Sequence, residues 1–487
     1  MKRRAFLASV PALVSSALAP AGSSSFASLR PQEAASVAPR VMRAAWESLT
    51  WSGSTGQALV VDVGRQGRLI AWEKAQYLPC WEIQEKLWFF TEFLETAGAA
   101  AMDRGSYEPL SDKKNRYTHV AINELGPARV VLHWKYALTD STEQANIFHG
   151  NTWAEEIHTI YPDGLTVRKL IGYPGNQTTV QGQPLVWEVA EMDLVLAPGS
   201  QLKQIIDMAG ALRVRSSGNE SYTLSWPATG SNWLCQRSVE SRTWPAYVFR
   251  PTLQKSPEPF LIVPNRKDYF PRIACGVCGG DHPAVLTWLA PSLYKNWPGC
   301  SGTCPKVEQG TEEDMKHQPV HMPYVSVIPW VHPNFLKNFL FKADRSSPSA
   351  ISVDPDWSPK PGTSWLMLYG TSNEGDPFLS TLANQWVKPP ELKMVAGESR
   401  GFEPDENIYL ISPGSKRCAF RVTPAENGPL IHPTFKVLDW GYRSAQVSVN
   451  GSPLAPERWR GSWTGNNLIV WIGEILNGPS DISIETF

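Results

Sequence analysis

From Gln57 onward the chain is a succession of short segments rich in β-branched and aromatic residues, each closed by Gly, Pro, Asp or Asn. QALVVDV, RLIAWEK, LWFFTEF, YTHVAINE, ARVVLHWKYAL, EEIHTIYP, LTVRKLIGY and VWEVAEMDLVL follow one another with almost no helical periodicity. Runs of this length, punctuated by turn residues, predict stacked antiparallel sheets, because each has a face to bury and too few residues for a helix. Two stretches depart from the pattern, Pro329 to Lys342 and Leu379 to Val387, and each has the spacing of a helix. The double proline of Val387-Lys388-Pro389-Pro390 interrupts any helix and reads as a linker. Beyond it IYLISP, CAFRVTP, TFKVLDW, AQVSVNGSPL, NLIVWIGEI and DISIETF predict a small all-β module of about six strands, with Asn450-Gly451 at a hairpin turn.

The 487 residues are enough for two or three domains, and a formal net charge of -1 gives no electrostatic case for nucleic acid or an anionic membrane surface. The usage of 21 Trp, 41 Pro and 36 Gly fits many strands joined by tight turns. Indole faces stack on pyranose rings, although most of the Trp are expected to fill β-sandwich cores. Lys2, Arg3 and Arg4 precede an apolar run from Ala5 to Ala19, which predicts an export signal over residues 1–27, and Arg3-Arg4-Ala5-Phe6-Leu7 has the twin-arginine form. The expectation is a periplasmic or secreted protein, with no integral membrane segment in the mature chain.

Seven cysteines occur, four of them in IACGVCGG and PGCSGTCP within an irregular stretch over residues 270–325. Cys275 and Cys278 form C-x2-C, and after a 21-residue gap Cys300 and Cys304 form C-x3-C. Two short-spaced thiol pairs suit a structural zinc knuckle, whereas an oxidising compartment favours disulfides, and the sequence leaves both open. His317 and His321 have i, i+4 spacing, but Pro319 between them disfavours the helix that would aim both at one metal. Dinucleotide loops, Walker motifs, a G-x-S-x-G elbow and an H-E-x-x-H helix are all missing, so no organic cofactor is expected.

The block from Glu108 to Lys169 gathers charged, His and aromatic residues onto consecutive strands. Strand alternation places Tyr117, His119, Ala121 and Asn123 on one face and turns Arg116 to the other, beside Val120 and Ile122. Across the turn at Leu125-Gly126-Pro127, Arg129, Val131, His133 and Lys135 form one face, with Val130, Leu132, Trp134 and Tyr136 on the other. Glu156 and His158 share a face, as do Thr166 and Arg168. Cleaving a glycan beside a uronic acid by β-elimination needs a cation or amide to neutralise the carboxylate, then a Tyr or His to move the proton. Arg116, Arg168 or the Asn123 amide suits the first task; Tyr117, His119, His133, His158 and Tyr161 suit the second. Glycoside hydrolysis instead needs two carboxylates, for which Glu108, Asp112, Glu155, Glu156 and Asp163 are the supply. A non-catalytic glycan-binding surface, or a cross-strand polar network, would use the same residue types.

ELGPARVVLHWKYAL followed by WAEEIHTIYPDGLTVRK resembles the paired strands of galactose-mutarotase-like β-supersandwiches. EPLSDKKNRYTHV, TIYPDGLTVRK, ANQWVKPPELK and NGSPL with NLIVWI resemble exported bacterial proteins of polysaccharide breakdown, ulvan-lyase-type polysaccharide lyases among them. The resemblance implies an all-β fold, a supersandwich over residues 28–390 followed by a β-sandwich over 391–487, with a β-propeller as the alternative. It also implies lyase action on an acidic polysaccharide. The positions that match best are Arg116, Tyr117, His119, His158, Tyr161 and Arg168, with Trp134, Trp153 and Lys169 as substrate-binding candidates. The Cys-rich loop is a departure from that pattern.

Overall fold

The computed structural model describes residues 42–486, except 99–106, 140–151, 174–178, 196–203, 225–244, 265–269, 273–318, 322–325, 332–361 and shorter breaks of up to three residues. The proposed export segment and Cys275, Cys278, Cys300 and Cys304 lie outside the described residues, as does His317. Of the two helical stretches, Asp376–Val387 is an α-helix, with Pro377 in its first turn and Lys388-Pro389-Pro390 stopping it. Pro329 to Val331 belong instead to the strand Ser326–Val331, where β-branched Val327, Ile328 and Val331 set the preference, and the rest of that stretch lies outside the described residues. Pro319–His321 is also a strand, which removes the helical geometry from the His317/His321 spacing.

Two large antiparallel sheets dominate. The nine-stranded one runs, in spatial order, Ser221–Leu224, Leu212–Ser216, Ala246–Pro251, Glu258–Pro264, Thr363–Ser372, Leu165–Tyr173, Trp153–Ile160, Val130–Ala137 and His119–Leu125. The seven-stranded one runs Arg43–Trp51, Ser54–Asp62, Arg68–Trp72, Pro79–Ile83, Leu87–Thr91, Met192–Val195 and Pro319–His321. The first of these strands precedes Gln57, where the alternation becomes regular; its run of exposed residues as an edge strand explains the weak signal. Side chains from the inner faces of both sheets, among them Leu59, Val61, Leu69, Trp81 and Phe89 against Leu132, Trp134, Leu170, Phe249 and Trp365, form one continuous core. Each such side chain gains about 1.5–3 kcal/mol on burial, so this sandwich-like core is the main source of stability. Sheets this wide, none of them closed, differ from the repeated four-stranded blades of a propeller.

The strands from Leu392 onward build two five-stranded sheets and a two-stranded one, paired only among themselves in the described residues. One pairing, Ile408–Ser412 with Thr434–Val437, is parallel. Asn450 and Gly451 both take positive φ at the expected hairpin. A separate core here includes Ile411, Phe420, Phe435, Val470 and Ile484. A third apolar cluster joins the parts: Val167, Ile262 and Leu368 of the nine-stranded sheet, Leu379, Leu382 and Trp386 of the helix, and Ile431, Ile469 and Trp471 beyond it. The outer face of the large sheet is therefore covered around Val167, Ile262 and Leu368. Among the described residues, no helix is long and apolar enough to cross a membrane.

Candidate functional site

The strand Trp153–Ile160 separates the polar residues of the sequence block into two groups, because its side chains alternate between the core and the outer face. Ala154, Glu156, His158 and Ile160 point inward and are buried, while Trp153, Glu155 and Ile157 point outward and are half-buried. Register carries the division across neighbouring strands, with Leu132 opposite His158, Trp134 opposite Glu156, and Arg168 opposite His158 on the other side.

The inner group is a closed polar network. Arg168 grips Glu156 with two hydrogen bonds, Nε to Oε2 and Nη2 to Oε1, each 2.7 Å. Its Nη1 crosses to the other sheet and donates to the Thr91 hydroxyl at 2.8 Å. Tyr136 donates to Glu156 Oε1 at 2.8 Å and accepts the Leu94 N–H at 2.7 Å. His158 lies with Nε2 3.1 Å from Glu156 Oε2 and Nδ1 2.8 Å from the Tyr369 hydroxyl. Burial pushes the His158 pKa down despite Glu156, so the imidazole is neutral near pH 7. Neutral His158 then donates from Nε2 to the carboxylate and accepts the Tyr369 proton at Nδ1. Burial works against the charged form of Glu156, but Arg168 and the hydrogen bonds overcome it and lower the carboxyl pKa to about 2. Each Glu156 oxygen accepts two donors. The carboxylate is saturated.

The outer group is open. Asp112 Oδ2 accepts the Tyr117 N–H at 2.6 Å and so shapes the bend that carries Arg116 and Tyr117 onto the sheet. The strand begins only at His119, so alternation does not govern Arg116: its guanidinium sits 5.3 Å from the centre of the Tyr117 ring rather than turned away. Tyr117 meets Trp153 edge to face at 6.1 Å, and Lys135 Nζ stands 5.8 Å from the Trp153 ring. His119 is exposed and pairs in register with Lys135, on the same face. Glu155 takes a hydrogen bond from Lys135 at 2.9 Å and lies 3.3 Å from His133 Nε2. Partial burial would raise the Glu155 carboxyl pKa, but Lys135 and His133 outweigh it and lower it. Asn123 is the extra residue of a β-bulge between Ile122 and Glu124, which returns Glu124 to the outer face where it meets Arg129.

Five sequence candidates have other places than expected. Trp134 is fully buried with Nε1 donating to the Gln76 carbonyl at 3.0 Å, so it offers no ring face to a sugar. His158 and Arg168, 2% and 1% exposed, belong to the inner network, out of reach of a polymer in solvent. Tyr161 is buried at the boundary with the C-terminal sheets, its hydroxyl donating to the Glu406 carbonyl. Lys169 pairs there with Asp405, and His432 lies 2.7 Å from Asp163 in the same boundary. Arg129 completes that seam by bridging Glu124 and Glu406. Arg116, Tyr117, His119 and Trp153 do come together on the open face, joined by His133, Lys135 and Glu155. The sequence put His133 and Lys135 on one face; what it lacked was the register that brings Glu155 opposite Lys135.

Of the five carboxylates named from the sequence for hydrolysis, Glu155 alone stands on this open face. Glu156 is behind it, Glu108 and Asp112 are buried, and Asp163 is in the boundary. Among the described residues no group of three His, Cys, Asp or Glu is arranged to hold a metal; Cys80 and Cys418 are buried. Compared with models of known protein families and with curated protein sequences, the chain gives no match.

Proposed function

We propose that the protein is an exported lyase that cleaves an acidic, uronic-acid-containing polysaccharide by β-elimination on the open face of the nine-stranded sheet. The observation that carries this reading is the gathering of Arg116, Tyr117 and His119 beside an aromatic platform, Trp153, on one accessible surface. A sugar ring stacks on Trp153, and the cations Arg116 and Lys135 neutralise its carboxylate, which acidifies the proton on the adjacent carbon. Tyr117, as phenolate, takes that proton. The electron pair forms the ring double bond as the glycosidic carbon–oxygen bond breaks, and protonated His119 gives its proton to the leaving oxygen.

The architecture proposed with this activity is a galactose-mutarotase-like supersandwich followed by a C-terminal β-sandwich, with the Cys-rich loop closed by zinc or by disulfides. Incubation with a panel of uronic-acid polysaccharides tests the activity. A rise in near-ultraviolet absorbance from the conjugated unsaturated uronate is expected, whereas new reducing ends without it would mean hydrolysis. A second reading, glycan binding without cleavage, is favoured by Glu155, which already neutralises Lys135 and contacts His133 in the free protein. Binding with neither product would establish it.

A further inference from the structure

Glu155 is a carboxylate held against Lys135, one of the two cations assigned above to a substrate carboxylate. It engages Lys135 at 2.9 Å through Oε1 and His133 at 3.3 Å through Oε2, and the same Lys135 Nζ stands 5.8 Å from the Trp153 ring. A pyranose stacked on Trp153 would thus present a ring carboxylate to the cation Glu155 now occupies. The three side chains are 24%, 44% and 30% exposed for Glu155, Lys135 and His133, so none is locked in the core and all can exchange partners. The contrast with Glu156, one residue along, is instructive, because that carboxylate has four donors and no access to solvent.

We propose that Lys135 and His133 form the seat for the substrate's carboxylate, and that Glu155 fills this seat in the free protein as an internal surrogate that a uronate must displace. The inference rests on the outer face being the glycan site and adds what governs selection there. Glu155 then acts as a positioning and gating residue, not a catalytic one. It keeps Lys135 and His133 assembled, and it opposes ligands whose carboxylate does not compete well for the pair. A neutral sugar gains nothing by displacing it, so the device favours uronates over neutral glycans.

The test is calorimetric titration of oligomers of glucuronate, galacturonate and mannuronate, each beside its carboxyl-reduced neutral form. The titrated proteins are the wild type, Glu155→Gln, Lys135→Gln and Trp153→Ala, with equal melting temperatures confirmed first. Glu155→Gln should tighten the binding of the uronate oligomer roughly fivefold, since a competing exposed ion pair is removed. It should leave the neutral form unchanged. Lys135→Gln should weaken the uronate oligomer roughly tenfold and erase the preference over the neutral form. If Trp153→Ala abolishes binding of both forms while Glu155→Gln fails to tighten the uronate, the surrogate is overturned and the face stands as the site. If Trp153→Ala changes nothing, or no oligomer binds the wild type, the face itself is overturned, and the surrogate with it.

Discussion

Glu155 and Glu156 are adjacent in the chain, and the two faces of the sheet give them opposite physics. Glu156 sits in the core, holds Arg168 in two hydrogen bonds and satisfies His158 and Tyr136 besides, so its charge is fully answered within the protein. Glu155 sits outside, shares Lys135 and His133 with solvent nearby, and can release either. The same residue types, Glu, His, Tyr and a long cation, therefore build a structural tie between two sheets on one face and a candidate recognition surface on the other. A buried carboxylate–guanidinium pair is costly to break and of no use to a ligand; an exposed one contributes little to stability and is available for exchange.

The largest expected effect breaks the inner side of this comparison. Replacing Arg168 with Met should destabilise the fold by about 3–5 kcal/mol, because Glu156 is left charged and unpaired in the core. Glu155→Gln on the outer side should cost less than about 1 kcal/mol. Denaturant unfolding curves of the two variants measure the difference directly. The wild type should lose the same inner support in acid. The Glu156 carboxyl is depressed from 4.5 to about 2 in the folded state, so its contribution is complete above pH 4.5 and disappears as the pH falls toward 2.

Next in size is the effect of Tyr117→Phe on cleavage. Turnover should fall roughly a hundredfold or more with the melting temperature unchanged, since the hydroxyl moves a proton and supports no buried contact. Full activity in this variant would transfer the proton to another group on the face. The smallest effect is a pH drift. Burial holds the His158 pKa below its ordinary 6.5, so as the pH drops below 6.5 the unfolded chain takes up a proton that the folded one refuses, and stability declines. His158→Gln should flatten the melting temperature across this range; an unchanged slope would show that the drift originates elsewhere.

Much of this arrangement was legible in the sequence, for a definite reason. Period-two alternation put Glu156 with His158 and Thr166 with Arg168, and those pairs do share the inner face; it also separated Trp134 from His133 and Lys135. Alternation cannot say which of two faces is buried when both carry polar residues, and this is why His158, Arg168 and Trp134 were candidates for a surface role. A bend before His119 and a bulge at Asn123 displaced two more expectations, those for Arg116 and Asn123, because the rule holds only within a regular strand. Tyr161 and Lys169 face outward as the pattern requires. Their partners Glu406 and Asp405 lie more than two hundred residues away, in a turn between two strands whose docking no local pattern announces.

The division between the faces is the central claim, and one pair of titrations addresses it. An oligouronate that binds the wild type is titrated into Trp153→Ala, on the outer face, and into Tyr369→Phe, which removes the hydroxyl partner of His158 on the inner face. The account predicts lost affinity in Trp153→Ala and wild-type affinity in Tyr369→Phe despite its lower melting temperature. Wild-type affinity in Trp153→Ala together with lost affinity in folded Tyr369→Phe would place the ligand on the inner side and contradict it.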